Sequence, residues 1–224
     1  MLIAALFAQG AVAAGDLFGV WSPRGQTITF SATDPQFKQA DDMPMQPWAL
    51  EKFRHTKSGY GPHATPESED PTFQCYPPGM PLILLIPFPL EIIEARDRIV
   101  MYFEYSNLLR QIFMDGRPHP ADLQPTYMGH STGRWEGDTL VVDTVGLTDK
   151  SWLDRAGHPH SDALHIVERM RRLDHETLEI DLTFDDAKAY TRPWKGRKLY
   201  TFRPGWEIME YVCADNFRKP AAAK

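Results

Sequence analysis

Cysteine is scarce. Cys75 and Cys213 are the two in a chain of 224 residues, too few for the disulfide scaffold of a small secreted domain. Positive charge is also in short supply: 24 Lys and Arg stand against 30 Asp and Glu, a formal net charge of −6. Duplex nucleic acid needs a cationic footprint, because phosphate neutralisation dominates affinity there, so nucleic-acid binding is not expected. Beyond the amino terminus no uncharged apolar run reaches the ~18 residues of a membrane-spanning helix, and no internal repeat is found. With 42% hydrophobic and 24% charged residues, the composition is neither that of a disordered chain nor of a collagen-like one.

Proline and aromatics are what the chain has in plenty: 19 Pro, 6 Trp and 12% aromatic residues. That mixture favours turns, extended segments and amphipathic surfaces over a helical bundle. The length suits one large domain with appended segments. Met1 to Ala14, MLIAALFAQGAVAA, reads as a signal peptide, with Val12 and Ala14 placed for cleavage after Ala14, although no Lys or Arg opens it. A buried amino-terminal strand is the other reading. The expected compartment is periplasmic or secreted, which leaves open a bridge between Cys75 and Cys213 against two buried thiols.

Residues 15–94 read as an amino-terminal strand followed by a Pro-rich irregular wrap. Thr27 to Phe30 alternates as a short strand does, Pro47 to His55 suits a short helix, and Ser58 to Pro78 reads as a long loop. In CYPPGMPLILLIPFPLEII, Pro81, Pro87 and Pro89 forbid a helix interior and a central strand alike, so extended chain over an apolar surface is expected. From 95 to 217 turn signals become regular. Strands are expected over Arg98–Tyr105 and Leu109–Asp115, after the turn Glu136–Asp138, over Leu164–Leu173 and Leu178–Phe184, and over Arg197–Phe202 and Trp206–Cys213. SDALHIVERMRR could form a helix capped by Ser161. The strand reading is favoured, because a short polar turn leads directly into LEIDLTF. It puts His165, Val167 and Arg169 on one side and Ile166, Glu168 and Met170 on the other. The fold class is therefore mainly β, an antiparallel meander closing into a lipocalin-like barrel. Residues 218–224 read as a disordered tail.

His119, His130, His158, His160, His165 and His175 crowd the second half of the chain together with Asp143, Asp154, Arg155 and Glu168. Histidine suits both acid–base work and metal ligation. His158, His160, Asp162 and His165 carry an H-x-H-x-D pattern similar to that of metallo-β-lactamases. Ala163 stands where the next ligand belongs, so no metal or other cofactor is expected. Gly129-His130-Ser131-Thr132-Gly133 satisfies G-x-S-x-G, but the strand-to-helix context of a nucleophile elbow is missing.

Two blocks, GHSTGRWEGDTL and WLDRAGHPHS, with CYPPGMP before and PGWEIMEYVC after, resemble an uncharacterised family of exported bacterial proteins across roughly residues 75 to 216. The resemblance implies matching residue types at His130, Ser131, Trp135, Asp138, Asp143, Trp152, Asp154, Arg155, His160 and Ser161, and brings no activity. Gly19 and Trp21 ahead of a meander are similar to lipocalin-like barrels, where such a Trp packs across the barrel floor.

The leading functional expectation is an exported enzyme, a lyase or isomerase before a hydrolase, working by acid–base chemistry on a small, partly apolar molecule inside the barrel. Catalytic roles fall to His130, His160, Asp154 and Arg155. Tyr105, Trp135, Trp152, Ser131, Ser161, His165 and Glu168 are expected to contact the substrate. The other class is a non-catalytic carrier of an apolar ligand. A cavity lined by His130, His160 and Asp154 would favour the enzyme, and one lined by aliphatic and Phe side chains alone would favour the carrier.

Overall fold

In the computed structural model, residues 16–31 and 43–216 are described; the expected signal peptide and tail lie outside them. The described residues form nine strands that close into one barrel in sequence order: β1 (Gly19–Pro23), β2 (Leu90–Glu94), β3 (Arg98–Phe103), β4 (Leu108–Phe113), β5 (His130–Glu136), β6 (Thr139–Val145), β7 (His165–Arg172), β8 (Thr177–Asp185) and β9 (Trp194–Phe202). Every neighbouring pair is antiparallel except β4 and β5, which run parallel through Ile112↔Ser131 and Phe113↔Thr132. β1 closes the ring against β9 through Trp21↔Phe202, Ser22↔Thr201 and Pro23↔Tyr200. The mainly β barrel expected from the turn spacing is thus the fold.

Burial alternates along the strands as a barrel demands. Ile99, Met101 and Phe103 of β3, Ile166, Glu168 and Met170 of β7, and Trp194, Gly196, Lys198 and Tyr200 of β9 are buried. SDALHIVERMRR therefore holds a strand, with the two faces assigned above. Trp21 is fully buried; its indole N–H donates to Leu17 O at 2.8 Å, and the Arg172 guanidinium lies 5.2 Å from its ring.

Three local expectations are corrected. Thr27–Phe30 forms no strand: the ladder is made earlier, by Gly19–Pro23, and Phe30 is buried because its ring meets Phe184 at 5.2 Å. Trp206–Cys213 is not a strand either. β9 is already paired on both sides, by β8 and β1, and a closed barrel offers no free edge. The Pro-rich wrap is less extended than expected, since Leu82–Leu85 winds into a 3₁₀ turn whose four side chains are all buried. Tyr200 hydroxyl donates to Leu84 O at 2.9 Å, fixing that turn to β9. Gly79, at φ 71, brings the wrap so close that a Cβ there would lie 2.7 Å from Tyr127 O; only glycine enters such a left-handed position without strain. The expected helix forms as α1 (Pro47–His55), burying Ala49 and Phe53.

The barrel interior is filled rather than hollow at its polar layer. Arg110 and Glu168, 1% and 0% exposed, pair there: Arg110 Nη1 donates to Glu168 Oε1 at 3.0 Å, while Nη2 meets Oε2 and donates to Thr144 Oγ1 at 2.8 Å. Arg110 Nε donates to Ser131 Oγ at 3.2 Å, and Ser131 and Thr144 hydroxyls lie 3.0 Å apart. Ser131 and Glu168, singled out from the sequence as substrate contacts, are two members of this buried network.

Candidate functional site: a cavity beside the barrel

Asp154, the acid of the WLDR block, organises its own loop. Its Oδ1 accepts from the backbone N–H of Ala156 at 3.1 Å and of His158 at 3.3 Å, and its Oδ2 accepts His158 Nδ1–H at 2.7 Å. Phe53 of α1 stacks on the His158 ring at 3.9 Å between centroids. Gly157, at φ 92, tightens the turn against Thr56. The loop is further pinned where Arg155 N–H donates to Ile28 O at 3.1 Å. All these bonds are internal and buried, so Asp154 is a brace, and what the brace presents is the side chain of Arg155.

That side chain reaches a cavity of about 250 Å³ between the wrap, the β3–β4 turn and the carboxy-terminal segment, near the small end of the ~300–1,000 Å³ range of ligand pockets. Tyr60, Phe73, Ile86, Pro87 and Phe88 give it apolar walls, Tyr105 and Tyr211 close one side, and Asp70, Thr72 and Arg155 supply its polar groups. The guanidinium of Arg155 stands 3.7 Å over the Tyr60 ring. It is 9% exposed and makes no ion pair or side-chain hydrogen bond among the described residues. Asp70 is also buried. Its Oδ1 accepts from Thr72 N–H at 2.9 Å and Thr72 Oγ1–H at 2.7 Å, capping the 3₁₀ turn Pro71–Gln74, while its Oδ2 has no donor among the described residues. Burial pushes the Asp70 carboxyl above its usual range, opposed by the Thr72 bonds and by the charge of Arg155. Burial likewise holds the Tyr105 phenol protonated, beside the hydroxyls of Tyr211 and Thr72.

A disulfide ties two walls together. Cys75 and Cys213, 138 residues apart in sequence, are bonded, which settles the alternative that the cysteine count left open. Thr72 and Phe73 lie just before one half-cystine and Tyr211 just before the other, so the bridge ties the segment that carries Asp70 and Thr72 to the carboxy-terminal segment at the cavity.

Of the residues singled out in the sequence, only Arg155 and Tyr105 line this cavity, and His130, His160 and Asp154, expected to share one, lie outside it. His160 is buried in the β6–β7 loop, its Nδ1–H donating to Ser161 O at 3.0 Å and its Nε2 3.2 Å from Ser151 Oγ; burial lowers its pKa. Ser161 donates through N–H and Oγ–H to the Asp186 carboxylate at 2.7 and 2.6 Å. Trp135 and Trp152 are partly buried against the core. His130 and His165 face outward from the barrel, joined in a row: His130 Nδ1 lies 2.8 Å from His119 Nδ1, and Asp143 accepts from His119 Nε2 and His165 Nε2, each at 3.0 Å. Among the described residues no group of three or more His, Cys, Asp or Glu is arranged to hold a metal ion.

Asp70, Thr72, Tyr60 and Tyr211 escaped the sequence reading. One signal was present: Asp70 followed by Pro71 is the pairing of a helix cap with Pro at the first helical position. The cavity matches neither expectation, since it is aromatic with a buried cation and acid. Comparison with known proteins finds no match among family models, curated proteins or solved structures.

Proposed function

We propose that this protein binds a small organic anion with a flat, apolar body, and that the site is the cavity under Arg155 rather than the barrel lumen. The observation that carries this reading is the Arg155 guanidinium, nine-tenths buried, stacked on Tyr60 and without an anionic partner of its own among the described residues. A mostly buried guanidinium has limited access to water, and its planar fork suits a carboxylate held by two parallel bonds. Tyr60, Phe73, Phe88, Tyr105 and Tyr211 offer the faces and edges that stack on an aromatic ring. The closed lumen, occupied by Arg110, Glu168 and the residues around them, suits a structural role.

A second reading keeps acid–base chemistry but moves it to Asp70, a lining residue whose buried carboxyl has one oxygen without a donor among the described residues. On this view the protein is a lyase or isomerase and His130 and His160 take no part. The bridge between Cys75 and Cys213 accords with export to the periplasm or beyond. Burial of Trp21 beneath Arg172 accords with the lipocalin-like resemblance.

The test is titration of purified protein with phenylacetate, 3-phenylpropionate and indole-3-acetate, followed by calorimetry and thermal unfolding. Saturable binding by at least one is expected. At a hundred dissociation constants of ligand the stabilisation is ~2.7 kcal/mol, and Arg155→Met should abolish it. Failure of all three, or equal binding by the variant, overturns the proposal. Isotope exchange or product formation from a bound ligand would favour the second reading.

A further inference from the structure

The same cavity that holds an unpaired cation holds a half-paired anion. Asp70 is 3% exposed, and its carboxylate divides its work unevenly: Oδ1 takes both bonds from Thr72, and Oδ2 takes none among the described residues. Asp70 and Arg155 line one cavity and feel each other electrostatically, yet they do not form an ion pair. Arg155 lies on Tyr60 instead, so each charge keeps its hydrogen-bonding capacity for something between them. Two opposite charges that share a cavity and decline to pair are complementary to a molecule that itself carries both an acceptor anion and a donor.

Resting on the anion-binding reading above, we infer that the ligand of this site is a donor-bearing acid: an aromatic or similarly flat carboxylate with a hydroxyl or ammonium group close to the carboxylate, the carboxylate on Arg155 and the donor on Asp70 Oδ2. A simple apolar acid would leave Asp70 Oδ2 buried without a partner, and that loss sets the specificity, since an unmet buried acceptor discriminates more strongly than missing apolar contact. Asp70 is thus the specificity-determining residue of the site, and Arg155 the anchor. The protonated Tyr105 phenol, which also lines the cavity, has the capacity to donate to a remaining lone pair of a bound carboxylate.

Three probes of one skeleton separate this inference from the reading beneath it: 3-phenylpropionate, which has no donor, 3-phenyllactate, with a hydroxyl, and phenylalanine, with an ammonium. Calorimetric titration of the full chain should show the hydroxyl or the ammonium acid binding tenfold or more tightly than 3-phenylpropionate, and which of the two is preferred identifies the donor. Asp70→Asn preserves an acceptor oxygen for Thr72, so the turn it caps should stay intact. It should reduce the preference to less than about threefold while leaving 3-phenylpropionate binding in place. Equal affinity of the three probes for the unaltered protein overturns the inference and leaves the anion site standing. Binding of none of them overturns both. The comparison on unaltered protein does not depend on whether Asp70→Asn folds.

Discussion

Arg110 and Glu168 sit opposite one another inside the closed barrel, joined by two hydrogen bonds and shielded from water on every side. The strands that carry them, β4 and β7, are not neighbours, so the pair spans the lumen. Removing one partner strands the other charge, which typically costs ~3–5 kcal/mol, whereas exchanging both for apolar residues of similar size is often neutral or better. Glu168→Leu alone is therefore expected to lower the urea midpoint sharply. Arg110→Met with Glu168→Leu should recover most of the loss, and a double variant as unstable as the single one would contradict this account.

The Asp154 brace and the Arg155 anchor can be separated. Asp154→Ala leaves two backbone donors and the His158 ring without their acceptor, each such buried loss being worth ~1–3 kcal/mol. It should destabilise the chain and weaken aromatic acid binding together, because the loop that aims Arg155 loosens. Arg155→Met should remove binding with little change in the unfolding midpoint. Parallel denaturation and titration curves for the two variants distinguish a positioning residue from a contact residue.

The β class, the barrel and the inward and outward faces of β7 were legible because period-two patterning and turn chemistry act locally. His165, Val167 and Arg169 fall on the more exposed face for the reason their spacing indicates. The candidate cavity was legible only in part. Arg155 and Tyr105 stood among the residues singled out from the sequence, but the other walls come from distant stretches of chain, Asp70 from the wrap and Tyr211 from the carboxy-terminal segment, and the course of both is set by tertiary packing. Histidine identity alone does not fix a role: a residue suited to catalysis is equally suited to bracing a loop, as His158 does for Asp154, or to a half-buried bonded row, as His130 does with His119. Nothing in a single strand's pattern tells which.

Lys198 gives a pH signature. Its side chain is buried within the barrel, its ammonium near Arg24 O, Gly25 O and Thr27 Oγ1 at 3.4 to 3.5 Å, with no carboxylate paired to it among the described residues. Burial, aided by the charge of Arg155, depresses its pKa to about 8 from 10.5. Where the folded value lies below the unfolded one, the folded chain binds fewer protons between them, so stability rises with pH across that window. Lys198→Met should be more stable than the unaltered chain at pH 7. The difference should shrink as pH rises from the folded value of about 8 towards 10.5, followed by denaturant midpoints at each pH.

The outward row is expected to be separable from binding. His130→Ala and His165→Ala should each leave the affinity for 3-phenylpropionate within about twofold of the unaltered value, because neither lines the cavity. Burial, His119 and Arg117 all lower the His130 pKa. A proton NMR titration should place it below an ordinary histidine, and His119→Ala should shift it upward. A large loss of binding in either alanine variant would return these rings to the functional site.

The parallel contact of β4 with β5 rests on two residue pairs, while β8 and β9 share eight. Cylinders of uneven stitching come apart along the thinnest line. That line divides the chain into a leading three-stranded piece, residues 90–113, and a trailing five-stranded piece, residues 130–202, with β1 bridging them on the far side. Amide exchange should be quickest beside Ile112 and Ser131, and the two pieces should behave as separate cooperative units. Ser131, which bonds Arg110, lies on this longitudinal slit, so transient breathing there would admit water to the Arg110 and Glu168 charges through the wall of the barrel.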